Sequence, residues 1–367
     1  MNHSRKQQKY SLSFFMGILV AYLLLSQLAF AQLVSEKPSP FIEKEIVNWD
    51  YHSKQVNDDF TIYIHFPPGY DTSKISYPVL YMTDGDWNMT VAMNCFNMLL
   101  QDYTTIEPLI VGIGYGNRPN KRSRDLNPST GGPAFLKFIT DEVMPFVKST
   151  YRITDNKALY GYSLGGMFTT YVLFTYPELF NMIFIGAPGN NGNELLAPAQ
   201  KYFASHTDLK SKVFVGVGSY EHETTANIEK FKAYLLKQNC KQLELETAIT
   251  PNAGHGAALA QVMQNAIAFA YCTKHKPIVV PAKTLQKYAG TYILESEPNE
   301  KYTVFVQNEK LYFKSGQSPT QLVPYTKDGF FMYENQKGTF TFKEEAGKMS
   351  VVYEETNQKP TSLKKIN

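Results

Sequence analysis

The chain has 367 residues, of which 43% are hydrophobic and 14% aromatic, and it carries 36 Lys and Arg against 33 Asp and Glu. This apolar and charge-balanced composition excludes an intrinsically disordered chain and requires a folded core. Since single cores stop growing at roughly 250–300 residues, the length predicts one large domain or two unequal ones.

The N-terminus has the pattern of a signal peptide. Three basic residues within the first nine positions precede an apolar stretch at 14–25, and Ala29-Phe30-Ala31 forms a small-x-small cleavage site. We therefore predict cleavage after Ala31 and export to the periplasm or the cell exterior. The alternative is an uncleaved anchor, because the apolar run at 11–28 approaches the length that spans a bilayer.

Cleavage after residue 31 would also change the charge balance. It would leave 33 of the 36 basic residues against 33 acidic ones, a net charge of zero. A neutral chain lacks the excess positive charge with which proteins bind nucleic acids or anionic membranes. We therefore predict no nucleic-acid partner and no membrane partner for the mature protein.

The three cysteines, Cys95, Cys240 and Cys272, form no disulfide framework and lack metal-site spacing. A bridge between Cys240 and Cys272 and a set of buried free thiols both fit the sequence. No metal and no other cofactor is predicted.

From residue 60 to residue 272, short β-rich runs alternate with longer helical stretches. This alternation predicts a mostly parallel central sheet with helices on both faces. An eight-stranded α/β barrel is disfavoured because the first two strands, at 46–49 and 60–66, follow one another without a helix. The other predicted strands are 78–83, 109–113, 158–160, 182–185, 213–217 and 243–249, and the main predicted helices are 135–151, 166–175 and 225–238.

The pattern changes after residue 272. A linker at 273–283 contains Pro277 and Pro281 and is followed by short aromatic strands with turn residues between them. We predict four parts: a signal peptide (1–31), an α/β domain (32–272), the linker (273–283) and a small antiparallel β domain (284–367). Strands of the β domain are expected at 290–293, 302–306, 310–313, 329–333, 339–342 and 349–353.

The most informative motif is Gly-Tyr-Ser-Leu-Gly-Gly at residues 161–166. It follows a predicted strand and precedes a predicted helix, which is the setting of a Gly-x-Ser-x-Gly nucleophile elbow. Glycines on either side let the chain pass closely enough to expose the serine hydroxyl. Ser163 is therefore the predicted nucleophile, whereas the alternative is a chance match in a loop rich in Gly and Ser.

A serine nucleophile needs a general base, and in this chain order an acid and then a histidine follow it. His255 lies in Asn-Ala-Gly-His-Gly at 252–256, after the last predicted strand and before a helix, so we predict that it is the base. The alternative is a surface-loop histidine. The acid should follow the strand at 213–217, where Glu221 comes first and Glu223 is the reserve. A solvated acidic loop is the alternative for either carboxylate.

An oxyanion hole requires backbone N–H donors. One should come from Leu164, the residue after the nucleophile, and the other from the loop at 83–87, where the N–H of Asp86 is the predicted donor. Trp87 in the same loop and Arg122 in the basic run at 118–124 are predicted substrate contacts. The alternative for the basic run is a solvated or internally paired loop. Asp84 and Asp86 could resemble a metal pair, but no matching His or Glu cluster accompanies them.

A glycine-rich run at 112–116 follows a strand and invites comparison with nucleotide-binding loops. It lacks the Gly-x-Gly-x-x-Gly spacing and opens no helix, so a strand-end turn is the better interpretation.

Together these motifs resemble the α/β-hydrolase family of esterases that includes esterase D, enterochelin and other siderophore esterases, and feruloyl and acetyl esterases. The resemblance spans roughly residues 46–271 and includes Tyr-Pro-Val-Leu-Tyr-Met-Thr-Asp-Gly at 77–85, Arg-Ser-Arg-Asp-Leu-Asn-Pro at 122–128 and Tyr-Pro-Glu-Leu-Phe at 176–180. It implies the same nucleophile, base, acid and oxyanion donors. Relatives often carry Pro-Ser and Trp residues where this chain has Ala-Pro-Gly-Asn-Asn at 187–191, so the substrate pocket is expected to differ. The C-terminal part is similar to the lipocalin-like β modules of some secreted hydrolases.

The leading functional hypothesis is an exported serine carboxylic-ester hydrolase with a Ser-His-Glu triad. Siderophore and carbohydrate esters are the substrate classes considered. An acyltransferase with the same triad and a non-catalytic binding protein with a hydrolase fold are the alternatives.

Overall fold

The structure is a computed structural model that describes residues 46–189, 193–355 and 359–367. The predicted signal peptide lies outside the described residues, as do Asn190 and Asn191 of the divergent pocket motif. Within the described ranges, no helix combines the length and the apolar character needed to cross a membrane.

The predicted α/β-hydrolase fold is confirmed. In the part of the chain that the structure describes, eight strands form one sheet in the order β1-β2-β5-β3-β6-β7-β8-β9, and β3 and β5 to β9 run parallel. The strands of this region are Ile46–Ser53 (β1), Asp58–His65 (β2), Tyr77–Met82 (β3), Thr104–Thr105 (β4), Leu109–Gly114 (β5), Ile153–Tyr162 (β6), Met182–Gly186 (β7), Ser211–Gly218 (β8), Leu243–Thr250 (β9) and Cys272–Thr273 (β10).

Helices connect the parallel strands. They span Gly85–Asp102 (α1), Arg122–Asp125 (α2), Gly132–Lys137 (α3), Met144–Thr150 (α4), Leu164–Thr175 (α5), Asn193–Phe203 (α6), His222–Lys237 (α7) and Leu259–Tyr271 (α8), and a π-helical stretch, Phe138–Val143, joins α3 to α4.

The direction of the crossovers determines where the site can form. From β3 the chain crosses to β5 on one side, and from β6 it crosses to β7 on the other. Right-handed crossovers in opposite directions place α1 and α5 on opposite faces of the sheet. The carboxyl ends of the neighbouring strands β3 and β6 therefore flank a topological switch point, where open α/β sheets bind ligands.

The central strands are apolar throughout because helices cover both faces of the sheet. Every residue of β3 and of β5 is buried, whereas the edge strand β1 is largely exposed. The sequence prediction was wrong at residues 83–87, which were interpreted as a loop. Helix α1 already begins at Gly85, so Asp86 and Trp87 lie in its first turn.

The C-terminal antiparallel β domain is also confirmed, and among the described residues it is a closed eight-stranded barrel. Each strand pairs with the next along the chain, and β18 pairs back with β11. The strands are Gly290–Leu294 (β11), Glu297–Gln307 (β12), Lys310–Lys314 (β13), Pro319–Pro324 (β14), Gly329–Met332 (β15), Gly338–Glu345 (β16), Lys348–Glu355 (β17) and Thr361–Lys365 (β18), preceded by the helix Ala282–Leu285 (α9) and the 3₁₀ turn Gln286–Tyr288. Sequence reasoning missed β14 and β18.

The barrel has its own hydrophobic core, separate from that of the sheet domain. Tyr288 of the 3₁₀ turn is fully buried and packs on Phe330 and Phe342. The Tyr288 hydroxyl donates to the carbonyl of Lys327, in the β14–β15 turn. The 3₁₀ turn therefore closes one end of the barrel.

Polar contacts attach the barrel to the sheet domain. The N–H of Gln336 donates to the carbonyl of Asp102 at 2.6 Å, and the Thr104 hydroxyl donates to the carbonyl of Lys337 at 3.0 Å. The segment after β10 also packs on the barrel, where the His275 ring lies 4.1 Å from that of Tyr325. The predicted linker thus packs against the β domain.

Candidate active site

Ser163 lies between the end of β6 and the start of α5, at the switch point of the sheet. Its backbone has φ 62° and ψ −119°, a strained conformation for a residue with a side chain. The N–H of Ser163 donates to the carbonyl of Gly186 at 2.8 Å, which secures the turn to the neighbouring strand β7. Ser163 therefore has the backbone geometry of a nucleophile elbow.

The glycines of the motif are required by close packing. A Cβ on Gly161 would lie 2.1 Å from the carbonyl oxygen of Gly165, and a Cβ on Gly166 would lie 2.4 Å from that of Gly186. Both positions would therefore force the backbone of the turn to move. These contacts explain why the pattern needs glycine on both sides of the serine.

Glu221 and His255 contact each other in a cleft that Ser163 also lines. The Nδ1 atom of His255 lies 2.7 Å from Oε2 of Glu221, which follows β8, while His255 follows β9. The second carboxylate oxygen of Glu221 accepts from the N–H of Gly218 at 3.2 Å, which orients the carboxylate. Glu223, the reserve acid, is exposed in the first turn of α7. The contact with His255 therefore favours Glu221 as the acid.

The hydroxyl of Tyr162 donates a hydrogen bond to the carbonyl oxygen of His255. Burial raises the pKa of Tyr162, so the phenol keeps the proton that it donates. Sequence reasoning missed this residue because it is the variable position of the Gly-x-Ser-x-Gly pattern. The only signal in the sequence was the position of Tyr162 inside the motif, directly before Ser163.

The start of α1 and the start of α5 are in contact. A Cβ on Gly165 would lie 2.4 Å from Thr83 Oγ1 and 3.4 Å from Asp84 Oδ2. The first N–H groups of a helix have no acceptor within that helix. Leu164 is the first residue of α5 and Asp86 is the second of α1. The N–H groups of both predicted oxyanion donors therefore lack an acceptor within their own helix. The positive ends of the two helix dipoles also favour an anion here.

An ion pair supports the turn before α1. The Arg122 guanidinium donates to both carboxylate oxygens of Asp84, at 2.7 and 2.9 Å, and also contacts the carbonyl of Tyr162. The Asp84 side chain is 1% exposed and that of Arg122 is 21% exposed. Burial raises the pKa of Asp84, and the Arg122 guanidinium opposes that effect. The Arg122 guanidinium thus holds a structural carboxylate, and it lies 5.6 Å from the ring of Trp87, which is partly exposed.

Asp86 fixes a neighbouring loop through its side chain. Its carboxylate accepts from the Tyr63 hydroxyl at 2.7 Å and from the N–H groups of Tyr115 and Gly116 at 2.9 and 2.8 Å. Asp84 and Asp86 therefore have different partners. Within the described ranges, no three His, Cys, Asp or Glu side chains are grouped to hold a metal ion, and Cys95, Cys240 and Cys272 are free.

Ser163, Glu221 and His255 line one open cleft of about 740 Å³. Tyr220 and His222 line the same cleft, although no sequence motif identifies them as substrate contacts. A second groove, of about 730 Å³, lies between α5 and α6, and Met167 lines both spaces. A substrate larger than one small acyl group could therefore extend past Met167.

Comparison with known proteins identifies the family of this chain. Residues 53–241, just over half of the chain, match the family described as "Putative esterase". The ferri-bacillibactin esterase BesA of Bacillus subtilis is 24% identical over 251 residues, covering 59% of this chain and 86% of that protein. The siderophore triacetylfusarinine C esterase of Aspergillus fumigatus is 28% identical over 172 residues, covering 41% of this chain and 59% of that protein.

Among solved structures, the BES protein from Bacillus cereus is similar with a TM-score of 0.57 at 22% identity, covering 64% of this chain and 98% of that one. This similarity supports the fold of the sheet domain. The fold and the family match together show that the chain belongs to the "Putative esterase" family and is a serine ester hydrolase.

Proposed function

We propose that the chain hydrolyses carboxylic esters through an acyl-enzyme, with Ser163 as nucleophile, His255 as general base and Glu221 as the orienting acid. The observation that carries the proposal is the 2.7 Å contact between Glu221 and His255 in the cleft that Ser163 also lines. This contact leaves the Nε2 atom of His255 as the nitrogen able to accept a proton from serine.

The reaction has two halves. The Ser163 hydroxyl oxygen attacks the ester carbonyl carbon while His255 accepts the hydroxyl proton, and the N–H groups of Leu164 and Asp86 stabilise the resulting oxyanion. The ester C–O bond then breaks, and His255 returns the proton to the departing alcohol. Water, deprotonated by His255, attacks the acyl-enzyme, releases the carboxylic acid and restores Ser163.

Siderophore esters are the proposed substrate class. Two curated relatives are named as siderophore esterases, and they cover 59% and 41% of this chain. The open cleft and the adjoining groove beyond Met167 offer room for a bulky substrate of this kind. Trp87 is retained as a proposed substrate contact because its ring is partly exposed beside the catalytic helix start.

Export completes the proposal. The signal-peptide pattern at 1–31 supports hydrolysis outside the cytoplasm, by an α/β domain of residues 32–272 followed by the β domain at 284–367. A chain that begins at Gln32 is therefore the form to assay.

A panel assay tests the substrate class. The protein beginning at Gln32 is given a catecholate siderophore lactone, a feruloylated glycan and an aryl acetate, with Ser163→Ala as the control. We expect the siderophore ester to have the highest kcat/KM and the control to be inactive on all three. Turnover of the aryl acetate but not of the siderophore lactone would reject the siderophore esters as the substrate class and would leave the proposed mechanism standing. Inactivity of the folded wild-type protein on all three would reject the proposed mechanism. Adding an alcohol acceptor shows any acyl transfer as a new ester product.

A further inference from the structure

The barrel contains a cavity of its own, of about 340 Å³, that shares no lining residue with the catalytic cleft. The 3₁₀ turn with Tyr288 closes one end of the barrel, and the cavity lies toward the other end, where Ser315 and Ser318 line it. Its volume is within the range of about 300–1,000 Å³ that small-molecule sites occupy.

The cavity exists because the barrel interior changes from large to small side chains along two strands. On β14, Leu322 is buried in the barrel core, and Thr320, two residues earlier on the same face, lines the cavity. On β18, Leu363 and Thr361 repeat this arrangement. Leucines at both threonine positions would extend the apolar core into this space. The cavity is therefore a result of the two threonines and is not needed for the barrel to fold.

Aromatic rings form the main wall of the cavity. The rings of Tyr302 and Phe313 are stacked with their centroids 5.8 Å apart and an interplanar angle of 18°. Phe313 contacts Phe340 at 4.9 Å, and Phe340 contacts Tyr353 at 4.9 Å. Four rings from four strands therefore form a continuous surface of the kind on which a planar ring can pack.

The rest of the lining consists of Met332, Leu363 and neutral polar groups. Hydroxyls come from Ser315, Ser318, Thr320 and Thr361, and none of the described lining residues carries a charged side chain. The Tyr353 hydroxyl donates to Glu355 at 2.8 Å, and burial raises the pKa of Tyr353 to about 12, so this phenol is neutral. An anionic ligand would find no cationic counter-ion among the described lining residues.

We propose that this cavity is a binding site for a small, uncharged aromatic molecule that carries hydroxyl groups. The four rings pack against the ligand ring, and the Ser and Thr hydroxyls exchange hydrogen bonds with its hydroxyls. The site is independent of the ester chemistry and of its substrate.

Titration of the full chain with 1-naphthol tests the site, with heat of binding as the readout. Thr320→Phe fills the cavity, whereas Thr303→Phe adds the same ring on the exposed outer face of β12 and serves as the matched control. We expect saturable binding to the wild-type protein and to Thr303→Phe, and affinity at least about tenfold weaker in Thr320→Phe, a change of about 1.4 kcal/mol. Phe313→Ala provides a second variant, in which loss of the stacking surface should also weaken binding.

Three further measurements complete the test. Thermal unfolding must show that each variant is folded, and turnover of an aryl acetate should be equal in all of them and unaffected by 1-naphthol. Equal affinity in Thr320→Phe and Thr303→Phe, or no saturable binding to the wild-type protein, would overturn the proposal. Equally tight binding of 1-naphthalenesulfonate would overturn the requirement for an uncharged ligand.

Discussion

Ser163 shows how a single residue depends on its neighbours. Its left-handed backbone costs of order 1–3 kcal/mol, which the surrounding packing must supply. The N–H of Ser163 donates to the carbonyl of Gly186. The nearby glycines let other backbone atoms approach to distances at which a Cβ atom would clash. The exposed hydroxyl is a consequence of this strained turn.

Adding one methyl group at Gly166 should disturb the nucleophile directly. In Gly166→Ala, the new Cβ would collide with the carbonyl oxygen of Gly186, which holds the N–H of Ser163. We expect a lower Tm and a kcat about a hundredfold lower, since displacements of about 1 Å at a reacting group have effects of this size. The matched control is Gly254→Ala, because nothing lies within 4 Å of a Cβ at that position. An equal loss of Tm in both variants would contradict the steric argument.

The two glutamates after β8 provide a second test at this scale. In Glu221→Gln, the carboxylate that contacts His255 becomes a neutral amide, so the imidazolium formed during catalysis loses its stabilisation. We expect kcat for ester hydrolysis to fall by about a hundredfold or more. Glu223→Gln is the control and should retain nearly wild-type turnover. A larger loss in Glu223→Gln would show that the reserve carboxylate is the acid.

At the scale of elements, the starts of α1 and α5 are connected through Asp84 and Arg122. The carboxylate of Asp84 is buried at the turn before α1, and Arg122 also reaches the end of β6 through the Tyr162 carbonyl. The pair therefore links the β3–α1 turn to the elbow.

Removing the guanidinium should cause a pH-dependent loss of stability. Burial raises the pKa of Asp84 and Arg122 counteracts this, so in Arg122→Met the folded-state pKa of Asp84 rises further above its unfolded value. At neutral pH the variant must bury an unpaired carboxylate, at a cost of about 3 kcal/mol. Acidification protonates Asp84 and relieves that cost.

Urea unfolding at two pH values measures this effect. The stability difference between the wild-type protein and Arg122→Met should be large at pH 7 and smaller at pH 5, because the charged form of Asp84 is the one that needs Arg122. An equal difference at both pH values, or a larger one at pH 5, would contradict the role given to the ion pair.

The elements differ in how well the sequence predicted them. The apolar runs of β3, β5, β7 and β8 were found because buried parallel strands are apolar throughout. The first residues of helix α1 were assigned to a loop because Gly85 and Asp86 are typical of turns. Strands β14 and β18 were missed because β14 has proline at each end and β18 lacks the aromatic residues that marked the others.

The candidate site was partly accessible to the same reasoning. Local pattern and chain order led to Ser163, Glu221 and His255, and their catalytic roles remain predictions. The Tyr162 hydrogen bond and the pairing of Arg122 with Asp84 were not foreseen. Both join residues that are distant in the chain, and only the packed strand ends bring them together.

At the scale of the whole molecule, the barrel is attached far from the cleft. Helix α1 begins at Gly85 beside the elbow, and its last residue, Asp102, accepts from Gln336 of the barrel. Eighteen residues at 1.5 Å each separate the two ends by about 27 Å. Strand β10, which leads toward the barrel, likewise follows the end of α8 and not its start near His255.

Removal of the barrel should therefore leave the chemistry intact. A chain ending at Lys276 keeps every residue of the proposed site and the β10–β4 pairing, but loses the contacts at Asp102 and Thr104. We expect unchanged kcat on an aryl acetate and a lower Tm. In the full chain, Gln336→Ala removes the side-chain oxygen that accepts from the N–H of His275 at 2.6 Å, and should likewise lower Tm alone. A folded truncation that is inactive on the small ester would make the barrel part of the catalytic site.

The central claim is that Ser163 forms the acyl-enzyme, and covalent labelling with a fluorophosphonate, followed by peptide mass spectrometry, tests it most directly. The account predicts one phosphonate adduct, on Ser163, with loss of ester turnover in proportion to labelling. Ser163→Ala should show no adduct and a turnover at least about a thousandfold lower, while circular dichroism shows that it is folded. An adduct on another residue that abolishes turnover, or a folded Ser163→Ala protein that keeps wild-type turnover, would contradict the account.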